Sequence, residues 1–219
     1  MKKNILNLYE GFFDDLDQLN KDDEFGDVNG HIYDEHNFIL GPDKNPEFFY
    51  GLCKMCKDKG FQYNKKGFTQ EDLNQIENIY CYDSGDTYFK DVTSLDELQY
   101  FNNLENIFSF SFCNCIRLKS VIFPKNLKKI NTGGFYHCES LKEIILPENF
   151  IEIQDEGFGY CYSLEKIVFN ENIRYIPKNN SLCTNNNNLK EIVIPLRFKN
   201  SIEDIFDSIN LINVNITYI

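Results

Sequence analysis

The sequence predicts an α/β repeat solenoid. Coils stack to give a parallel β-sheet on the concave face, with a helical N-terminal cap and a short C-terminal cap. Three observations predict it. Matched residues return every 23 positions, from Ile107 to Ile130, Ile153 and Ile176. Each unit carries an apolar tetrapeptide (SVIF, EIIL, KIVF, EIVI) whose alternate residues face opposite sides of a strand. Proline follows three of the four, at Pro124, Pro147 and Pro195. It ends a strand there because it has no N–H for the ladder.

Residues 1–45 read as an acidic N-terminal arm, extended and partly flexible. They contain no repeat, and the first fifty residues hold twelve Asp and Glu against four Lys. Residues 46–82 read as the helical cap. Within PEFFYGLCKMCKDKG (46–60), Phe48, Phe49, Leu52, Cys53 and Cys56 fall on one side of an amphipathic helix. FTQEDLNQIENIYCY (68–82) reads as a helix and then a strand, with Thr69 as N-cap before Asp72.

Residues 83–198 read as the solenoid. Its columns align residue by residue: Phe112, Phe135 and Phe158; Cys115, Cys138 and Cys161; Leu118, Leu141 and Leu164; Val121, Ile144 and Ile167. The fourth unit needs a two-residue insertion, placed in the run Asn185 to Asn188, after which Leu189, Ile192 and Ile194 recover the pattern. Upstream, DVTSLDELQYFNNLENI (91–107) leads to a strand near Asn106–Ser109. Only about 14 residues separate that strand from Ser120, which makes the coil short and atypical. Residues 199–219 read as a short helix and a final strand, a C-terminal cap over the last open coil.

The unit I-x-x-x-G-F-x-x-C-x-S-L-x-x-I-x-x-P, clearest from Ile130 to Ile153, resembles the BspA-type leucine-rich repeat. Where that family carries Ala before the Phe, this chain has Ser111, Gly134, Gly157 and Asn180. Residues 68–107 resemble internalin-like repeats. The opening LNLYEGFFDDLDQL resembles the start of small proteins encoded by bacteriophages of gut bacteria. The resemblance implies a leucine-rich-repeat array that binds protein and has no enzymatic activity. Many BspA-like proteins are surface adhesins. With no signal peptide or membrane span read in this chain, the expectation moves to the cytoplasm of a bacterium or phage-infected cell, or to a virion.

Composition limits the partners. A formal charge of −12 over 219 residues disfavours binding to a nucleic-acid backbone or an anionic membrane. The chain has no Ala or Trp, and its only arginines are Arg117, Arg174 and Arg197. This matches the codon bias of an AT-rich genome.

Candidate chemistry is sparse. Eight cysteines without a signal peptide read as reduced thiols. The column Cys115, Cys138, Cys161 reads as small buried hydrophobes, the alternative being a metal ladder. Cys53 and Cys56 form one CxxC, half of a zinc site that Cys113, Cys115 or His137 would have to complete. A lone CxxC on an apolar helix face reads as core. No metal or cofactor is assigned. His31, His36 and His137 lie in no catalytic motif, and His137 beside Cys138 reads as solvent-facing. Asp22, Asp23, Glu24 and Asp27 do not fit a calcium loop.

One feature points to an interface. The outward strand column is read as Phe108, Ile122, Ile145, Val168 and Val193, bordered by Ser120, Glu143, Lys166 and Glu191. An exposed apolar stripe marks a binding surface, unless the arm or a cap covers it or β-branched residues stand there only because they favour strands. The expected function is non-enzymatic protein–protein interaction through these residues. The alternative is a phage structural, virion-associated or host-inhibitor protein docking through its acidic arm. A third class, an enzyme with a site between cap and array, has no motif to support it.

Overall fold

The computed structural model describes residues 38–61, 63–64, 66–81, 87–179, 182–207 and 209–219, all in one compact unit, Glu35–Ile219. The arm through residue 37, with His31, His36 and the carboxylates near Asp22, lies outside the described residues. Residues 38–45 belong to the packed body. Leu40 is fully buried and bridges Phe68 in antiparallel fashion. Asn45 accepts from the Phe48 amide and donates to the Ser94 carbonyl at 3.1 Å and to Glu97 at 2.8 Å.

Helix α1 (Pro46–Lys59) starts on the Asn45 cap with proline in its first turn, and stops at Gly60 in the left-handed conformation. Its apolar side meets the array: the Phe48 ring lies 5.4 Å from Phe89 and 5.9 Å from Phe101. Gly51 permits the approach, since a Cβ there would stand 2.6 Å from the Phe89 ring. Helix α2 (Gln70–Asn74) starts on Thr69, the N-cap expected from the sequence, and the Asp72 side chain closes it into a capping box.

The coils as far as residue 168 contribute two strands each and the later two one each, where the sequence predicts one throughout. The first ladder pairs β1 (Asn78–Ile79), β3 (Asn106–Ile107), β5 (Lys129–Ile130) and β7 (Glu152–Ile153), all parallel. Ile79, Ile107, Ile130 and Ile153 stand in register, all fully buried. The second ladder pairs β6 (Glu143–Ile145), β8 (Lys166–Val168), β9 (Glu191–Ile194) and β10 (Asn215–Tyr218), also parallel. A separate pair joins β2 (Ser94–Leu95) to β4 (Ser120–Val121). The coil from Asn106 to Ser120 is therefore not short: those two strands belong to different sheets of one coil, as do β5 and β6.

Between the ladders runs the aromatic core. Rings of Phe89, Phe112, Phe135 and Phe158 follow one another at 4.9, 5.1 and 6.0 Å. Leu118, Leu141 and Leu164 are fully buried beside them. Two left-handed corners shape the turn. The first is Phe110, Gly133, Glu156 and Asn179; the second is Asn114, His137, Tyr160 and Asn185. Their spacing is four residues in the first three coils and six in the last. Phe112 and Phe135 donate from their amides to Gly134 and Gly157, but Phe158 donates to Leu182. The insertion thus falls between Asn179 and Leu182, not in the run Asn185–Asn188.

That register puts Asn186 in the cysteine column. Cys115, Cys138 and Cys161 donate from sulfur to the carbonyls of Phe89, Phe112 and Phe135 at 3.1–3.2 Å. Asn186 donates from Nδ2 to the Phe158 carbonyl at 2.8 Å. Its Oδ1 is buried and accepts nothing among the described residues. The column is a set of short donors spanning adjacent coils, and the hydrophobe reading misses that function.

The C-terminal residues form α3 (Ile202–Ile205) and β10, as the sequence suggests. β10 continues the second ladder in register with β9.

Two outcomes test this packing in urea unfolding. Phe135→Ala removes the ring packed against both Phe112 and Phe158, at an expected cost of about 3–5 kcal/mol. Asn186→Cys keeps a donor for the Phe158 carbonyl and removes the orphaned Oδ1, so stability is expected to hold or to rise by about 1 kcal/mol.

Candidate functional site

The second ladder fixes the geometry of the predicted binding surface. A parallel sheet turns alternate side chains to one face, with neighbouring strands ~4.8 Å apart. In register, Ile145, Val168, Val193 and Thr217 form one column, and Glu143, Lys166, Glu191 and Asn215 form the next. Both columns point away from the core, because Ile144, Ile167 and Ile192 between them are fully buried. Ile145 is 53% exposed. Val168 and Val193 are half-buried. Lys166 and Glu191 neutralise one another at 3.2 Å, which draws the border charges together beside the aliphatic column.

Not all nine predicted residues share that surface. Six do: Glu143, Ile145, Lys166, Val168, Glu191 and Val193. Ser120 and Ile122 go with the β2–β4 pair, where Ser120 bonds the Ser94 hydroxyl at 3.3 Å. No ladder joins β4 to β6 among the described residues. Ile122 is exposed just beyond β4. Phe108 does not belong to the column. It follows β3 on the first ladder and packs its ring against Tyr80 at 4.8 Å. The second ladder adds Thr217 and Asn215, which the sequence reading had assigned to the cap.

The cysteines sit in the interior. Seven of the eight are buried, and Cys81 is the half-exposed exception. Burial, aided by the neighbouring Cys56, raises the Cys53 thiol; burial and then Asp72 push Cys56 up to about 12. Burial likewise raises Cys138 and Cys183. Groups held as thiols are poor metal ligands and poor nucleophiles at neutral pH. Among the described residues, no group of three or more His, Cys, Asp or Glu is placed to hold a metal ion.

Sequence reasoning missed a ring cluster on the turn between the ladders. His137 and Tyr160, one coil apart, stack at 4.7 Å and 11°. Tyr136 lies 5.1 Å from Tyr160. Tyr162 stands nearly perpendicular to both His137 and Tyr160, each at 6.1 Å. Glu139 approaches His137 Nδ1 at 3.5 Å. Glu156 accepts from the Thr184 hydroxyl at 2.9 Å, while its Oε2 is buried and accepts nothing among the described residues. Burial raises this carboxyl, the Thr184 bond opposes it, and Asp155 adds to the rise. The available signal was that His137 and Tyr160 occupy one repeat column, where the other coils place Asn114 and Asn185. A separate open cavity of about 570 Å³ lies between Arg174, Tyr175, Lys178, Asp155 and Phe198. Lys178 there pairs with Asp204 at 3.2 Å.

Native titration with a thiol reagent tests the burial pattern. One thiol, Cys81, is expected to react at once. The other seven become available only on unfolding, and Cys81→Ser removes the fast phase.

No helix among the described residues is long and apolar enough to cross a membrane. No curated protein matches the chain. Three solved structures are similar to it. One is a leucine-rich repeat protein from Bacteroides ovatus, with 24% identity over 66% of this chain and 42% of that one, TM-score 0.44. Another is the pneumococcal vaccine antigen PcpA, with 21% identity over 65% and 44%, TM-score 0.44. The third, a leucine-rich repeat protein of T. pallidum, is 18% identical over 46% and 50%, TM-score 0.32. The chain thus spans under half the length of the first two. The BspA-type leucine-rich repeat region is matched in six copies over residues 83–213, reaching upstream of Ile107 and into the segment read as a C-terminal cap. The chain belongs to the BspA-type leucine-rich repeat family.

Proposed function

We propose that the protein is a non-enzymatic binding module that holds a protein partner on the face of its second ladder, the concave face of the solenoid. One observation carries this reading: Ile145, Val168 and Val193 stand in a single column on the outer side of a hydrogen-bonded sheet, with Ile145 half out in solvent. Parallel sheets usually bury both faces. One that keeps an aliphatic column outward has a surface to cover.

The mechanism is positional. Backbone hydrogen bonds between coils hold the column rigid, so a partner meets side chains whose conformations are already restricted. β-Branched Ile and Val lose little rotamer freedom on binding. Affinity comes from desolvating the column, and orientation from Glu143, Lys166 and Glu191 along its border. In this reading residues 46–77 cap the N-terminal end, and the array runs from β1 through β10. The acidic residues 1–37, ahead of the packed body, are the second docking element, suited to a basic partner.

The test is affinity capture from lysate of the source cells with wild type and Ile145→Asp/Val168→Asp. The double variant first has to show the wild-type thermal unfolding midpoint, as expected for outward positions. A partner held by wild type and weakened at least tenfold in the variant is the expected result. Capture that survives the substitutions removes the ladder as the binding face and gives the role to residues 1–37.

A further inference from the structure

The ring cluster on the turn is built at a cost that the fold alone does not require. His137 and Tyr160 both adopt left-handed backbone, with φ of 58° and 59°. A bulky residue there is uncommon and strained. Asn, the residue best suited to that conformation after glycine, fills the same position in the adjoining coils as Asn114 and Asn185. The two coils that depart from Asn are adjacent, and they use the departure to stack His137 on Tyr160 in partly exposed positions. Tyr162, 41% exposed, closes one side at a right angle.

A carboxylate edges these rings. Glu139 approaches His137 Nδ1 at 3.5 Å and has no Lys or Arg partner among the described residues. Ring faces and an exposed carboxylate attract the same thing, a cation: the ring through its negative face, the carboxylate through its charge. The net charge of −12 favours approach of such a ligand from a distance. We propose that Tyr136, His137, Tyr160 and Tyr162, with Glu139, seat an arginine-bearing basic segment of a partner protein. Guanidinium fits better than ammonium, because it is planar and stacks on aromatic faces while its N–H groups reach a carboxylate. This surface lies on the turn between the ladders and does not depend on the sheet column as a binding face.

The full chain, with its tyrosine rings isotopically labelled, is titrated with an end-blocked penta-arginine peptide at physiological salt. Ring NMR signals and calorimetry are the readouts. Expected is saturable binding that shifts the rings of Tyr160 and Tyr162. Tyr160→Asn/Tyr162→Asn, which borrows the residues of Asn185 and Asn187 from the next coil, is expected to weaken it about tenfold. Tyr175→Ala, an exposed tyrosine elsewhere, is expected to leave it unchanged. If the double variant does not fold, Tyr162→Asn alone carries the same comparison. Equal affinity in wild type and variant overturns the proposal, since attraction to a diffuse negative charge then explains the binding. Absence of binding overturns it too. So does a ring response to cellohexaose and not to the peptide, which would make the cluster a carbohydrate site.

Discussion

Nearly everything in this protein depends on hydrogen bonds that leave one coil for the next. A two-residue strand such as Asn106–Ile107 cannot persist alone, because strand pairs gain stability only in larger, packed sheets. Here each strand is held by its counterpart in the next coil, 23 residues on in the most regular part of the array, and the turn between the strands is held likewise. The Phe112 amide reaches Gly134, Phe135 reaches Gly157, and the cysteine sulfurs reach back to the phenylalanine carbonyls of the preceding coil. Buried backbone groups have to be satisfied somewhere. In a coil with so little regular structure, the neighbouring coil is where they are satisfied. The period is therefore a hydrogen-bonding requirement as well as a packing one. An insertion is accommodated only where it leaves both corners in register, as between Asn179 and Leu182.

The same requirement explains what could be read in advance. Columns facing the core repeat their chemistry because each must fill the same space, and Phe112, Phe135, Phe158 and the leucines beside them are visible as a period. Columns that serve the backbone do not repeat so plainly. A short donor is needed beneath the turn, and Cys or Asn serves equally, so Asn186 looked like part of a polar run instead of the fourth member of the cysteine column. The first ladder was hidden for a similar reason. Its strands are two residues long, below the length at which alternation can show, and its isoleucines were read as the start of a unit. Phe108 was misplaced as a consequence: with one strand allowed per coil, the residue after Ile107 was put in the wrong sheet. The outward columns of the second ladder were legible because three or four residues alternate there, from Glu143 to Ile145 and from Glu191 to Ile194. The ring cluster was not. The repeat places His137 and Tyr160 in one column, but their stacking depends on left-handed backbone at both, a conformation that the column alone does not display.

Two surfaces of different character follow from this construction. On the ladder, side chains are spaced by the sheet and supported by buried isoleucines, so the column Ile145, Val168, Val193 is a regular apolar strip with low chemical specificity. On the turn, spacing is set by the corner, and successive coils bring His137 against Tyr160 closely enough to stack. A repeat protein can alter either surface without disturbing its core, since the column positions that face outward carry no packing duty. That freedom is asymmetric. At the ladder, a polar residue in place of Ile145 sacrifices little, because strand backbone accepts many side chains. At the turn, replacing Asn by Tyr stresses a left-handed residue and gains no core burial in exchange. A chain that accepts strain at Tyr160, beside another corner at Glu156 whose carboxyl oxygen lacks a donor, concentrates two unfavourable local arrangements within five residues. Such concentrations are held in place by surrounding structure that over-determines them, and here that structure is the pair of inter-coil amide bonds from His137 to Gly159 and from Tyr160 to Thr184. The inter-coil bonding that makes the fold possible is thus also what allows the turn to carry side chains its backbone would otherwise reject.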